Sequence, residues 1–225
     1  MSAKDSEMIL IPDGNFLFGE DKEEISLPAF YIDKFPVTNS DYKEFCDESG
    51  RSWPSHWSQK SVKEKKTRFF FKRTVVDETA GFPEDMANHP VVNVRYDDAE
   101  AFAEWAGKRI PTEQEWEKAA RGEDGRLYSW GDDFPKNCCN HNEMVGSTSP
   151  VGHYGKFTSP HGVHDMCGNC LEWTSSNYSE EEESKVLRGG SWYHYELMVT
   201  TTYRFRVSPL TKLENMIGLR CARDA

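Results

Sequence analysis

Apolar positions along this chain keep one period only in short stretches. Between Met8 and Gly19 they fall at Ile9, Ile11, Phe16 and Phe18 around Pro12-Asp13-Gly14-Asn15, which predicts two short strands joined by a tight turn. Phe30-Tyr31-Ile32 continues the strand pattern. The period then changes: Pro36-Val37-Thr38-Asn39 opens a helix capped by Thr38 or Asn39, with Tyr42, Phe45 and Cys46 on one face. From Gly50 to Asn88 no period is sustained, and this stretch reads as a long excursion with a strand inside it. His89 to Val94 reads as a strand, and Asp97 to Ala106 as a helix with Ala99, Phe102, Ala103 and Ala106 inward. Thr112-Glu113-Gln114-Glu115 is a capping box that opens a helix running to Ala120, stopped by Arg121-Gly122. Beyond it Gly, Pro, Asn and Asp dominate, with short strands expected near Leu187 and from Met216 to Ala222.

These elements predict an α+β fold with much irregular loop structure, arranged as a single domain over residues 1–225. No internal repeat is visible, and the acidic tract from Glu180 to Glu183 reads as an exposed turn. The chain is 13% aromatic and 29% charged, so its core is expected to rest on scattered large rings rather than long aliphatic strands. A net charge of -11 argues against nucleic acid and against an anionic membrane as the main partner, because both require a basic face. The run from Lys60 to Arg68 is the one basic candidate, and it reads as a solvated loop. Met1 to Glu7 lacks an apolar signal region, and no apolar run approaches the roughly 20 residues that span a bilayer. The expected location is cytoplasmic, and the six cysteines read as reduced thiols.

Several phrases occur in a fixed order along the chain. They are Ile11-Pro12-Asp13-Gly14-Asn15-Phe16 with Gly19; Tyr31-Ile32-Asp33 with Pro36-Val37-Thr38-Asn39; Arg109-Ile110-Pro111-Thr112-Glu113-Gln114-Glu115-Trp116-Glu117; and Tyr128-Ser129-Trp130-Gly131. The later ones are His161 through Asn169 with Glu172-Trp173, Arg188-Gly189-Gly190-Ser191-Trp192, and Ile217-Gly218-Leu219-Arg220. Taken together, the set resembles the formylglycine-generating-enzyme/sulfatase-modifying-factor family, a variant of the C-type-lectin fold. Most of the phrases have a structural sense. Arg109 can pair with Glu115 to Glu117 around a helix start, Gly189-Gly190 permits close backbone approach, and Trp173 and Trp192 read as packed rings.

For the oxidase members, the resemblance implies two cysteines after the Gly-Gly-Ser phrase that bind copper. Here those positions fall on His194 and Thr202, so the known oxidase chemistry is not expected. The enzymatic alternative is an oxidoreductase with a nonstandard site around His194, Tyr195 and Glu196, like the siderophore-tailoring branch of the superfamily. The iron-binding helical domain of the ergothioneine sulfoxide synthases is absent from the sequence. Cys138, Cys139 and His141, or Cys167 with Cys170, have spacings that a zinc ion can use, but they read better as free thiols. His161 and His164 read as loop residues rather than ligands. Through the resemblance, Asn169 and Glu172 match a calcium site and Asn140 a second one; no cofactor is otherwise required.

The remaining chemistry gathers in residues 188–223. Trp192, Tyr193, His194, Tyr195, Glu196, Leu197, Met198, Tyr203, Phe205, Lys212, Leu213, Glu214 and Met216 follow neither period, and such side chains on loops are the usual makeup of recognition surfaces. Tyr203 and Phe205 read equally well as core. The layout is similar to the variable proteins of diversity-generating retroelements, a binding branch of the same fold in which this segment is diversified. Asn codons altered there yield Tyr, His, Phe and Leu, whereas Met198 and Met216 need another template codon. This reading implies a non-catalytic ligand-binding protein whose partner is another protein. A recognition domain within a larger signalling or defence assembly shares the same physics.

Overall fold

A computed structural model describes residues 3–66, 72–180, 183–211 and 215–225, with the backbone alone for residues 58–66 and 72–80. Its first four strands are β1 (Met8–Ile11), β2 (Gly14–Phe18), β3 (Glu23–Leu27) and β4 (Phe30–Asp33). The expected hairpin of β1 on β2 does not form: β1 pairs antiparallel with β4, and β2 with β3. The cause lies about a hundred residues away. The buried Lys118 ammonium donates to the carbonyls of Pro12 (2.7 Å) and Gly14 (2.9 Å), pulling the connection into a corner rather than a hairpin turn.

Helix α1 (Asn39–Ser49) begins as expected. Thr38 caps it reciprocally with Asp41, and Gly50 ends it at φ 72°. The region read as a solvated basic loop is instead paired backbone. Strands β5 (Ser58–Lys66) and β6 (Lys72–Ala80) run antiparallel with Ser58 opposite Ala80 and Lys66 opposite Lys72. Thr67 to Phe71, including Arg68 and the three phenylalanines, lie outside the described residues.

The strand expected over His89 to Val94 is also replaced by an irregular segment. Pro90 makes one isolated bridge to Thr38, Val91 N donates to Val37 O, and Val94 N donates to Ile217 O. The segment is thus pinned to two different neighbours rather than to one ladder. Helices α2 (Tyr96–Trp105) and α3 (Glu113–Arg121) follow the sequence reading closely, with the Thr112–Glu115 capping box present. Arg109 pairs bidentately with Glu115 at 2.7 and 2.6 Å.

The later strands are β7 (Leu171–Asn177), β8 (Lys185–Arg188), β9 (Phe205–Val207), β10 (Ile217–Gly218) and β11 (Ala222–Asp224). Four of them form a sheet in the order β10-β7-β8-β9, with β10 parallel to β7. The single strand expected from Met216 to Ala222 is divided between sheets, because β11 leaves β10 and pairs with β4 in the order β1-β4-β11. Glu180 and Glu183 are exposed as expected for the acidic turn, while residues 181 and 182 are outside the described residues.

Large rings do hold the core together. Tyr42, Phe45, Trp57 and Phe102 of one cluster meet edge-on or stacked at 5.3–6.1 Å. Tyr96 and Trp173 meet at 5.4 Å, and Trp173 Nε1 donates to Val94 O at 2.9 Å. Burying each such side chain contributes roughly 1.5–3 kcal/mol. No described helix is long and apolar enough to cross a membrane.

Candidate ligand-binding surface

The C-terminal loops rest on a buried ionic floor. Arg188, at the end of β8, is fully buried and pairs with Glu117 of α3. Its guanidinium also donates to the carbonyls of Thr201 (2.9 Å), Thr202 (2.6 Å) and Tyr203 (3.3 Å). Glu117 accepts in addition from Arg121 (2.7 Å) and from Gly19 N (2.6 Å), while Glu113 takes Arg204 at 2.6 and 3.0 Å. A buried guanidinium needs this many acceptors to offset the loss of water. Gly190, at φ 71°, follows directly: a Cβ there would stand 2.7 Å from Met198 O and from Val199 Cγ1, so the loop from Met198 lies on the glycine itself.

On this floor the loop Ser191 to Met198 is fixed by polar contacts at its base. Trp192 Nε1 donates to Asn215 O at 2.7 Å, and His194 Nδ1 lies 2.7 Å from the buried Ser191 Oγ. A second loop closes against it: Asn142 N donates to His194 O (2.8 Å) and Glu143 N to Trp192 O (2.7 Å). The side chains between these anchors point outward. Tyr193 is 50%, Tyr195 67% and Leu197 75% exposed, and on the second loop Met144 and Val145 are 48% and 53% exposed.

The rest of the expected surface divides. Trp192, His194, Met198 and Met216 are half-buried, and Glu196 is exposed with Oε1 3.5 Å from the Tyr128 hydroxyl. Tyr203 and Phe205 are half-buried, with rings 4.6 Å apart, and Phe205 also meets His194 at 4.5 Å. Lys212, Leu213 and Glu214 lie outside the described residues. Burial drives the His194 imidazole down to about 4, so it is a neutral ring near neutral pH. Burial pushes the Tyr128 phenol up to about 12, with Glu196 adding to the shift.

Two clefts, of ≈ 810 and ≈ 440 Å³, lie on either side of Thr202 and Tyr203, which follow the loop in the chain. They share Glu20, Thr202 and Tyr203, so they are neighbours across one ridge. The larger runs over Tyr178, Glu180 and Arg204; the smaller contains Leu127, Asp132 and Leu197.

The positions matched to calcium do not form a cage. Both carboxylate oxygens of Glu172 are bonded to Arg220, each at 3.0 Å, and Trp116 Nε1 adds a bond at 2.6 Å. Asn169 bonds Ser149 through both ends of its amide, at 2.9 Å from Ser149 N and 3.1 Å to Ser149 O. Asn140 Oδ1 alone is buried without a hydrogen-bond partner. A hard cation needs several free oxygens, so Asn140, Asn169 and Glu172 as arranged do not fit one.

Among the described residues, no group of three or more His, Cys, Asp or Glu is placed to hold a metal. All six cysteines are free and buried, and desolvation pushes the Cys167 thiol up to about 12. His194, Tyr195 and Glu196 do not converge on one point: His194 turns to Ser191, Glu196 turns to Tyr128, and the Tyr195 side chain is exposed.

The second loop, with Glu143, Met144 and Val145, was not legible as part of the site. Its link to residues 192 and 194 is made by backbone hydrogen bonds between segments about fifty residues apart, which leave no local pattern.

A family model described as sulfatase-modifying factor enzyme 1-like domain matches residues 2–225. The bovine inactive C-alpha-formylglycine-generating enzyme 2 is 31% identical over 270 residues, covering 97% of this chain and 88% of that protein. The hercynine oxygenase of Mycobacterium tuberculosis is 31% identical over 231 residues, covering 89% of this chain. The chain spans 54% of that oxygenase and 54% of the Bacillus subtilis relative YfmG. Among solved structures, PvdO from Pseudomonas aeruginosa aligns with a TM-score of 0.76 at 22% identity, over 100% of this chain and 97% of that one. Treponema denticola variable protein 1 aligns with a TM-score of 0.73 at 20% identity, over 97% and 95%.

Proposed function

On the scaffold of the sulfatase-modifying factor enzyme 1-like family, to which this chain belongs, we propose that it is a non-catalytic ligand-binding protein whose ligand is another protein. The observation that carries this reading is the set of apolar and aromatic side chains held outward on a fixed base: Tyr193, Tyr195 and Leu197, beside Met144 and Val145. Exposed patches of this kind lose area to water until a partner covers them, and Tyr supplies contact area at low entropic cost. His194 and Thr202 stand where the resemblance puts the copper-binding cysteines of the oxidases. The net charge of -11 favours a protein over nucleic acid or an anionic membrane. In its finer form the reading is a retroelement-diversified variable protein, with residues 188–223 as the variable segment.

Two observations test it. DNA flanking the gene should hold a reverse transcriptase and a near-copy of the last coding segment; finding neither removes the diversification claim. A partner captured on immobilised protein should be lost with Tyr195→Ala and Leu197→Ala; retention by both variants removes the binding surface.

The similarity to a hercynine oxygenase supports a second reading, an oxidoreductase with a nonstandard site. Metal analysis of the purified chain separates the two, because stoichiometric iron or copper favours the oxidoreductase.

A further inference from the structure

The two loops of this face are anionic as well as aromatic. Residues 137–152 and 190–203, which carry its two loops, contain Glu143 and Glu196 and no lysine or arginine. Both glutamates are exposed, and the Glu143 carboxylate has no partner among the described residues. The histidine within the loop, His194, is held neutral by burial. The adjoining clefts share the exposed Glu20; Arg204 in the larger is committed to Glu113 and Arg121 in the smaller to Glu117, while Lys22 is an exposed cation of the smaller cleft that lies outside the two loops.

We infer that this face docks a protein partner through that partner's lysine and arginine side chains, seated on Tyr193 and Tyr195 and held by Glu143 and Glu196. The inference rests on the ligand-binding reading above and names the chemistry of the partner. Tyrosine faces accept the aliphatic stems and attract the cationic heads of such residues, and nearby carboxylates supply charge-assisted hydrogen bonds. An acidic partner or a nucleic acid would bring its own charge against two carboxylates that no cation on these loops offsets. A wholly apolar partner would bury Glu143 and Glu196 unpaired, which is costly.

The probe is a fluorescein-labelled octa-arginine peptide, with octa-glutamate as its counterpart, read by fluorescence anisotropy on the full chain at about 0.05 M and about 0.3 M salt. Three double variants accompany the parent protein: Glu143→Gln with Glu196→Gln, Tyr193→Ala with Tyr195→Ala, and Glu23→Gln with Glu24→Gln on the exposed start of β3. Octa-arginine should bind the parent, and its Kd should rise about 5-fold or more in each of the first two variants, the equivalent of losing one modest contact. The third variant should stay within about 2-fold, since it removes the same formal charge elsewhere on the surface. An equal loss in all three would mean that the peptide reads only net charge, and the inference fails. Failure of octa-arginine to bind, or preference for octa-glutamate, also overturns it. Retention of a captured natural partner by the Glu143/Glu196 variant, with loss in Leu197→Ala, sinks the cationic inference and leaves the ligand-binding reading intact. Retention in both sinks the two together.

Discussion

His194 shows how one residue ties the surface to the interior. Its ring is half-buried between Ser191 and Phe205, and burial lowers its pKa from an ordinary 6.5 to about 4. The unfolded chain therefore binds this proton more readily than the native one. The contribution to stability is full above pH 6.5 and is lost as the pH falls toward 4. His194→Gln should remove that slope, so the stability difference between parent and variant in urea titrations should shrink from pH 7 to pH 4. Parallel curves would show that the ring titrates freely. Asp165 runs the other way, because burial raises it to about 6, and its contribution fades as the pH rises through that value. Glu172 makes a second test at this scale. Its carboxylate is shared by Arg220 and Trp116 in the interior, so Glu172→Gln leaves Arg220 short of a counter-charge and should cost about 3–5 kcal/mol in a denaturant titration. Calcium at millimolar levels should leave the parent's melting midpoint unchanged. A clear calcium-dependent rise that disappears in Asn169→Ala would mean that these side chains leave their present partners for a cation.

Elements whose signals are local were legible in the sequence, and elements held by distant partners were not. The capping boxes Thr38–Asp41 and Thr112–Glu115 each lie within four residues, and both helices begin where those residues indicate. The β1–β2 corner departs from the expected hairpin because its carbonyls are claimed by Lys118, and His89 to Val94 departs from the expected strand because its amides go to two different neighbours. Strands β7 and β9 carry no alternation that separates them from loops, because Leu171 to Thr174 of β7 are buried on both faces and β9 is only three residues long. The site divides similarly: the clustering of Tyr193, Tyr195 and Leu197 was visible, whereas the Glu143 loop beside them was not. Gly189-Gly190 was read from sequence as a place of close backbone approach, and Gly190 makes that specific. Its positive φ and the Met198 carbonyl both oppose a side chain, and backbone cannot yield as a flexible side chain can. Gly190→Ala should therefore lose more than about 2 kcal/mol of stability and raise hydrogen exchange in residues 196–203. A loss under about 1 kcal/mol would show that the loop does not rest on Gly190.

At the scale of the whole molecule, the charges fall into two groups with different work. Arg188, Glu117, Arg121 and Glu113 are buried and mutually paired, tying α3, β8 and the carbonyls of residues 201–203 into one unit. Tyr193, Tyr195 and Leu197 stand outside that unit: their loop is anchored through the backbone and through Trp192 and His194 at its base, whose rings Tyr193 meets edge-on at 5.9 and 6.2 Å. The proposed variable surface would rely on this separation, because exposed substitutions away from core contacts usually stay within about 0.5 kcal/mol. The triple change Tyr193→Asn, Tyr195→Asn and Leu197→Asn should accordingly cost less than about 1.5 kcal/mol in urea denaturation, the sum of three such surface changes. Arg188→Met should cost about 3–5 kcal/mol by itself, since it takes the donor from Glu117 Oε2 and from three carbonyls, leaving Glu117 only Arg121 and Gly19 N on its other oxygen. If the triple variant proved as damaging as Arg188→Met, those rings would be part of the packing, and the face would be too costly to vary for binding. If both were mild, the ionic floor would not be what fixes the loop, and the stability of the surface would have to come from the ring packing of Phe205 and Tyr203 beneath it.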